Sequence, residues 1–120
     1  MCFSPRENKL VPLWVHLRNI SEQVVREVGV ELRLQRVILF GSCARSTHTE
    51  HSDIDLIVVL ETDERFVERP AKILNLLYER IRGWAIDVLV YTPAEYDRMM
   101  LEGNLFLLRS VREGRTVYDS

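Results

Sequence analysis

The chain has 120 residues, 47% of them hydrophobic, two cysteines and a formal net charge of -2, enough for one domain with a real core, and 1–120 is read as a single unit. That charge balance excludes broad electrostatic binding to nucleic acid, which wants a basic face, while a nucleotide site needs only local donors and a metal. Cys2 and Cys43 lack metal-ligand spacing, no apolar run approaches the roughly 20 residues that span a membrane, and the N-terminus has no signal-peptide pattern, so a cytoplasmic protein is expected.

In chain order, Ser4-Pro5-Arg6-Glu7 has the form of a capping box, but Pro12 would break a helix running through it. The spacing predicts instead a helix with Pro12 in its first turn, carrying Leu13, Leu17, Ile20, Val24 and Val28 on one stripe and stopping at Gly29. Trp14 sits beside that stripe, facing the core or a partner, and His16 lies off it, where exposure is expected. Val37 to Phe40 is an unbroken apolar run ending at Gly41, which fits a strand buried on both faces. A Gly-Ser turn then opens a short helix, a polar loop follows, and Asp53 to Leu60 forms the second strand. Glu61 to Glu68 reads as a charged loop or helical lead-in. Pro70 starts a helix whose apolar face is Ile73, Leu76, Leu77 and Ile81, ending before Gly83. Ala85 to Tyr91 is the third strand. Thr92-Pro93-Ala94-Glu95 is a capping box with proline at the first helical position, and that helix ends near Gly103. Asn104 caps a last helix through Arg112, closed by Gly114. The order α-β-α-β-α-β-α-α predicts an α/β fold, a small three-stranded sheet covered by helices, with strand directions left open.

The chemistry lies at the strand mouths. Asp53 and Asp55, two apart on a strand, point to one face about 6.5–7 Å apart along it. Two like charges so placed repel, and a divalent cation relieves the repulsion; Mg²⁺ commonly takes one or two carboxylates and completes its shell with water and phosphate oxygens. Taken alone, such a pair reads as two solvated strand-edge acids. Gly41-Ser42, between a strand and a helix, offers backbone N–H groups, a hydroxyl and a helix N-terminus to a phosphate, although alone it is an ordinary capped turn. Asp87 sits among apolar neighbours, where an unpaired carboxylate is costly to bury, so it has a cationic partner or joins the metal site, helping to hold the ion or taking a proton from an attacking hydroxyl. Arg45 pairs with one of these acids or touches phosphate. His48 and His51 lack a recognised zinc-ligand spacing, Cys43 has no base to activate it, and Arg109, Arg112 and Arg115 read as an exposed basic helix end. Neither a P-loop nor a GxGxxG fingerprint occurs.

Together, Phe40-Gly41-Ser42-Cys43-Ala44-Arg45, Ser52-Asp53-Ile54-Asp55-Leu56 and Asp87 on a later strand resemble the DNA polymerase beta-like nucleotidyltransferase superfamily. The likeness is to its small members, the minimal nucleotidyltransferases, and spans nearly the whole chain. It implies the nucleotidyltransferase fold with a mixed sheet, Gly41, Ser42 and Arg45 at the nucleotide triphosphate, and Mg²⁺ held by the triad Asp53, Asp55 and Asp87. The chain departs from the pattern at Ser46, where the family often has glycine. Larger members append a domain that grips the acceptor; here the catalytic core uses up most of the chain, so something else must present it. Minimal nucleotidyltransferases are often paired with a HEPN-domain toxin. The resemblance therefore implies transfer of AMP from ATP to an acceptor hydroxyl, a tyrosine of that toxin, by the antitoxin of a type VII-like pair. Two other readings are an antitoxin that neutralises by contact alone, with Trp14, Trp84 and Met99-Met100 as anchors, and one subunit of a split small-molecule, antibiotic-type nucleotidyltransferase.

Overall fold

A computed structural model describes residues 12–28, 33–41, 54–81 and 85–120. The elements in order are α1 (Leu13–Val28), β1 (Leu34–Phe40), β2 (Ile54–Leu60), a 3-10 turn at Phe66–Glu68, α2 (Pro70–Tyr78), β3 (Ile86–Tyr91), α3 (Pro93–Leu101), α4 (Leu105–Glu113) and β4 (Arg115–Asp119). The short helix expected after Gly41 lies outside the described residues.

The sheet is mixed and has four strands, in the order β3-β2-β1-β4, where the sequence pattern predicts three. β1 pairs antiparallel with both β2 and β4, and β2 pairs parallel with β3 through the α2 crossover. The missed strand is a short edge, five residues long. Its register slips against β1 between Val37 and Ile38, so Val117 stands as an extra residue and the period-2 signal is broken. Gly114 joins α4 to this edge strand. A Cβ there would run into the carbonyl oxygen of Ser110 and stand 2.7 Å from that of Leu39, so the missing side chain is what lets the helix end meet β1 so closely.

Two layers of helices cover the sheet. On one face, α1 supplies Leu13, Leu17, Ile20 and Val24, and α2 supplies Ile73 and Leu77, against Val37, Leu39, Leu56, Val58, Val88, Val90 and Val117. Each such side chain, fully buried, contributes about 1.5–3 kcal/mol of transfer free energy. On the other face Tyr96 of α3 and Leu107 of α4 pack on Ile38, Ile57 and Val59, with Met99 and Met100 half-buried beside them. His16 is half-buried as well, not exposed. It stands one turn from both Leu13 and Ile20, at the margin of the buried stripe, and desolvation holds its pKa below the ordinary histidine value.

An ion pair between a buried arginine and a half-buried glutamate ties the two layers together at the end of the sheet where β2 and β3 finish. Arg69, 9% exposed, donates from Nη1 to Glu95 Oε1 at 2.6 Å, from Nε to the Glu64 carbonyl and from Nη1 to the Val90 carbonyl. Glu95 also closes the capping box of α3 with Thr92, as the sequence predicts. The hydrogen bond from Arg69, larger than the opposing effect of burial, holds the Glu95 carboxyl below the usual glutamate range. Burial, then the nearby Glu95 charge, pushes the Tyr91 phenol up. No helix among the described residues is long and apolar enough to cross a membrane.

Candidate functional site

The opposite end of the sheet, where β1 finishes and β2 and β3 begin, carries the acids. In the register of the ladder Phe40 faces Asp55, and Asp55 faces Asp87. Paired residues on neighbouring strands project to the same face, so these three side chains form one row across the sheet, about 4.8 Å from strand to strand. Their neighbours Leu39, Ile54, Leu56, Ile86 and Val88 go into the α1–α2 core. The row therefore lies on the α3–α4 side.

Asp55 is half-buried and Asp87 is exposed. The burial expected for Asp87 from its apolar neighbours does not occur. β3 is an edge strand, and Ile86 and Val88 take the core-facing positions, which leaves Asp87 on the open side of the sheet. It has no ion-pair partner among the described residues, so the cationic-partner alternative finds no support there. Like charges directly opposite on adjacent strands cost a few tenths of a kcal/mol to about 1 kcal/mol, an unfavourable arrangement for structure alone.

Gly41 closes the row. Its φ of +78° is a conformation that L side chains rarely adopt, and a Cβ built on it would stand 2.8 Å from Asp55 Oδ2. The backbone at the end of β1 thus lies directly against the Asp55 carboxylate, and only glycine allows both the turn and the approach. Phe106, at the start of α4, sets its ring edge-on to Phe40 with centroids 5.7 Å apart, which brings α4 alongside the acids.

Of the residues the sequence singles out, the structure brings Gly41, Asp55 and Asp87 together. Ser42, Arg45 and Asp53 lie outside the described residues, as do Cys43, Ser46, His48, His51 and Trp84. Asp55 and Asp87, both reachable from solvent and adjacent in register, suit a hard divalent cation such as Mg²⁺, which takes one or two carboxylates. No cluster of three or more histidine, cysteine or acidic side chains occurs among the described residues.

Other candidate residues go elsewhere. Arg115 is in β4, not at a helix end, and its guanidinium lies over the Trp14 ring at 4.6 Å. A polar cleft of about 180 Å³ lined by Gln35, Arg36, Tyr96, Asp97 and Asp119 sits far from the acids. Its one arginine is already engaged, donating to Tyr96 Oη at 3.0 Å and standing 3.7 Å from Asp119. Phe106 was not singled out from sequence. The available signal was the run Leu105-Phe106-Leu107-Leu108, which carries more apolar residues than one buried stripe uses.

The chain is similar to known proteins in sequence and in fold. The profile of the nucleotidyltransferase domain family matches residues 17–108. A protein of Methanocaldococcus jannaschii that carries the provisional name protein adenylyltransferase MJ0604 is 34% identical over 87 residues, which is 72% of this chain and 80% of that one. Among solved structures, a chain of a toxin-antitoxin crystallised with AMP-PNP superposes with a TM-score of 0.57 at 19% identity, covering 86% of this chain and 73% of that chain. A chain of the tri-AMPylated Shewanella oneidensis HEPN toxin in complex with its MNT antitoxin gives 0.51 at 17% identity, covering 90% of this chain and 74% of that one. At those identities the two structures speak to the shared fold.

Proposed function

The chain belongs to the nucleotidyltransferase domain family, and from that premise we propose that this nucleotidyltransferase moves AMP from ATP onto a hydroxyl, a tyrosine of a HEPN-type toxin, and so acts as that toxin's antitoxin. The observation that carries the reading is the row Asp55–Asp87 with the Gly41 backbone set against the Asp55 carboxylate. Support for the donor and the acceptor comes from the relative named as a protein adenylyltransferase and from the fold shared with toxin–antitoxin chains, one crystallised with AMP-PNP and one beside an AMPylated toxin.

In this reading the acceptor oxygen bonds to the α-phosphorus, the bond from that phosphorus to the pyrophosphate oxygen breaks, and pyrophosphate leaves. Asp53, Asp55 and Asp87 are the residues that would hold Mg²⁺, which when bound offsets charge on the triphosphate. Gly41 and Ser42, with Arg45, take the phosphates through backbone N–H groups, a hydroxyl and a guanidinium. Asp87, the more exposed of the two described acids, would accept the acceptor's proton.

The test is the intact mass of the HEPN-domain protein from the same genome after incubation with this chain, ATP and Mg²⁺. Addition of AMP residues is expected, and Asp55→Asn, close to isosteric, should abolish it. An adduct formed equally well by the Asp55→Asn protein would show that the acidic row is not the reacting site. Transfer to a small molecule with none to the HEPN protein would select the split-enzyme reading instead.

A further inference from the structure

The sequence suggests Trp14 and Met99-Met100 as partner anchors, but the fold uses them itself: Trp14 stacks with Arg18 and Arg115, and both methionines pack on the second core cluster. A different apolar surface is left open at the α3–α4 corner. Of the four consecutive apolar residues that begin α4, only Leu107 is buried, at 0% exposure, while Leu105 is 84% exposed, Phe106 45% and Leu108 37%. Leu101, which ends α3 just before the corner at Gly103-Asn104, is 89% exposed. Such a concentration of uncovered large side chains marks an interaction surface.

The helical period adds charge to this patch. Leu105, Leu108, Arg109 and Arg112 recur at i, i+3, i+4 and i+7, so they line one stripe of α4. Arg109 and Arg112 are exposed and belong to none of the ion pairs among the described residues. The corner is also continuous with the acidic row, because Phe106 touches Phe40 and Phe40 stands opposite Asp55. Leucines edged by two exposed guanidinium groups, unpaired among the described residues, complement a polypeptide that offers apolar side chains next to carboxylates. A nucleic-acid strand would satisfy the arginines, leave the leucines uncovered and meet Asp55 and Asp87 at the end of its path.

We propose that the α3–α4 corner is the docking site for the acceptor protein, gripping a segment of apolar residues flanked by carboxylates and holding its hydroxyl at the acidic row. This rests on the transfer reading above and adds to it the surface that selects the acceptor.

Two double variants test it, with the HEPN-domain protein of the same genome as probe. Leu105→Glu with Leu108→Glu alters exposed side chains only, so an unchanged melting temperature is the check on folding. The expected result is at least a tenfold rise in KM and in Kd for the acceptor, with ATP affinity and kcat at saturating acceptor unchanged. Arg109→Glu with Arg112→Glu should weaken binding similarly and flatten its dependence on salt. Unchanged acceptor KM and Kd in both variants would overturn the docking site while leaving transfer intact. So would failure of the HEPN protein to bind the wild-type chain, or a leucine variant that dissociates a self-associated form by sedimentation yet binds the acceptor normally. Conversely, if the wild-type chain transfers no AMP but the variants still lose binding, the docking site stands and the transfer reading falls.

Discussion

Gly41→Ala separates backbone strain from damage to the acidic row, because Gly103 provides a matched control. Gly41 has φ +78° and Gly103 has φ +73°, so alanine at either position incurs the left-handed penalty of about 1–2 kcal/mol for an L-residue. For a chain of this size each kcal/mol moves the melting temperature by roughly 4 °C, so both variants should melt about 4–8 °C lower. Around Gly103 a new Cβ would meet nothing within 4 Å, whereas at Gly41 it would stand 2.8 Å from Asp55 Oδ2. A methyl group needs more room than that, so the carboxylate must swing aside by most of an ångström. Misplacement on that scale costs on the order of 100-fold in rate. Gly41→Ala should therefore lose AMP transfer about 100-fold, along with Mg²⁺-dependent ATP binding, at a temperature where it is fully folded. Gly103→Ala should bind ATP as the wild type does. The measurements are thermal melts, titration with a fluorescent ATP analogue, and single-turnover transfer followed by mass spectrometry. Equal ATP affinity in the two variants would refute the argument that Gly41 exists to seat the Asp55 carboxylate.

The remaining predictions concern the scaffold. Glu95→Gln leaves the Arg69 guanidinium buried with two carbonyl partners and no counter-charge among the described residues; because the Glu95 side chain is 32% exposed, the loss is set below the 3–5 kcal/mol typical of a broken buried pair, at about 2 kcal/mol by urea denaturation. The same pair sets a pH dependence. Glu95 is held below its unfolded value, so its contribution is complete above the ordinary glutamate pKa of about 4.3 and is lost as pH falls from there through the lowered folded value. His16, also lowered, destabilises the fold as pH drops below about 6.5, since the unfolded chain takes the proton more readily. Denaturation midpoints between pH 7 and pH 3 should fall in both windows, with the lower step absent in Glu95→Gln; a lower step that survives the substitution would reassign it. Gly114→Ala should cost about 2 kcal/mol or more, because its Cβ meets two backbone carbonyls that cannot rotate away, and hydrogen exchange should show the loss first at β4.

Local rules carried much of this protein. The apolar runs at Val37 and Ile54, the stripe of α1, the Thr92-to-Glu95 capping box and the Asn104 cap appear where short-range physics put them, because each depends on neighbours within a turn or along one strand. The pattern of Gly41-Ser42, Asp-x-Asp and a later Asp87 also sufficed to indicate the family before any fold was drawn. The tertiary structure decided what depends on residues far apart. Register on three separate strands aligns Phe40, Asp55 and Asp87, edge position leaves Asp87 open, and a β-bulge hides the fourth strand from any period-2 reading. Packing laid Met99, Met100 and Trp14, half-buried, against the core and left Leu101, Leu105 and Leu108 uncovered. An apolar side chain carries no label of which surface will cover it. That is fixed only when helices and sheet compete for the same faces.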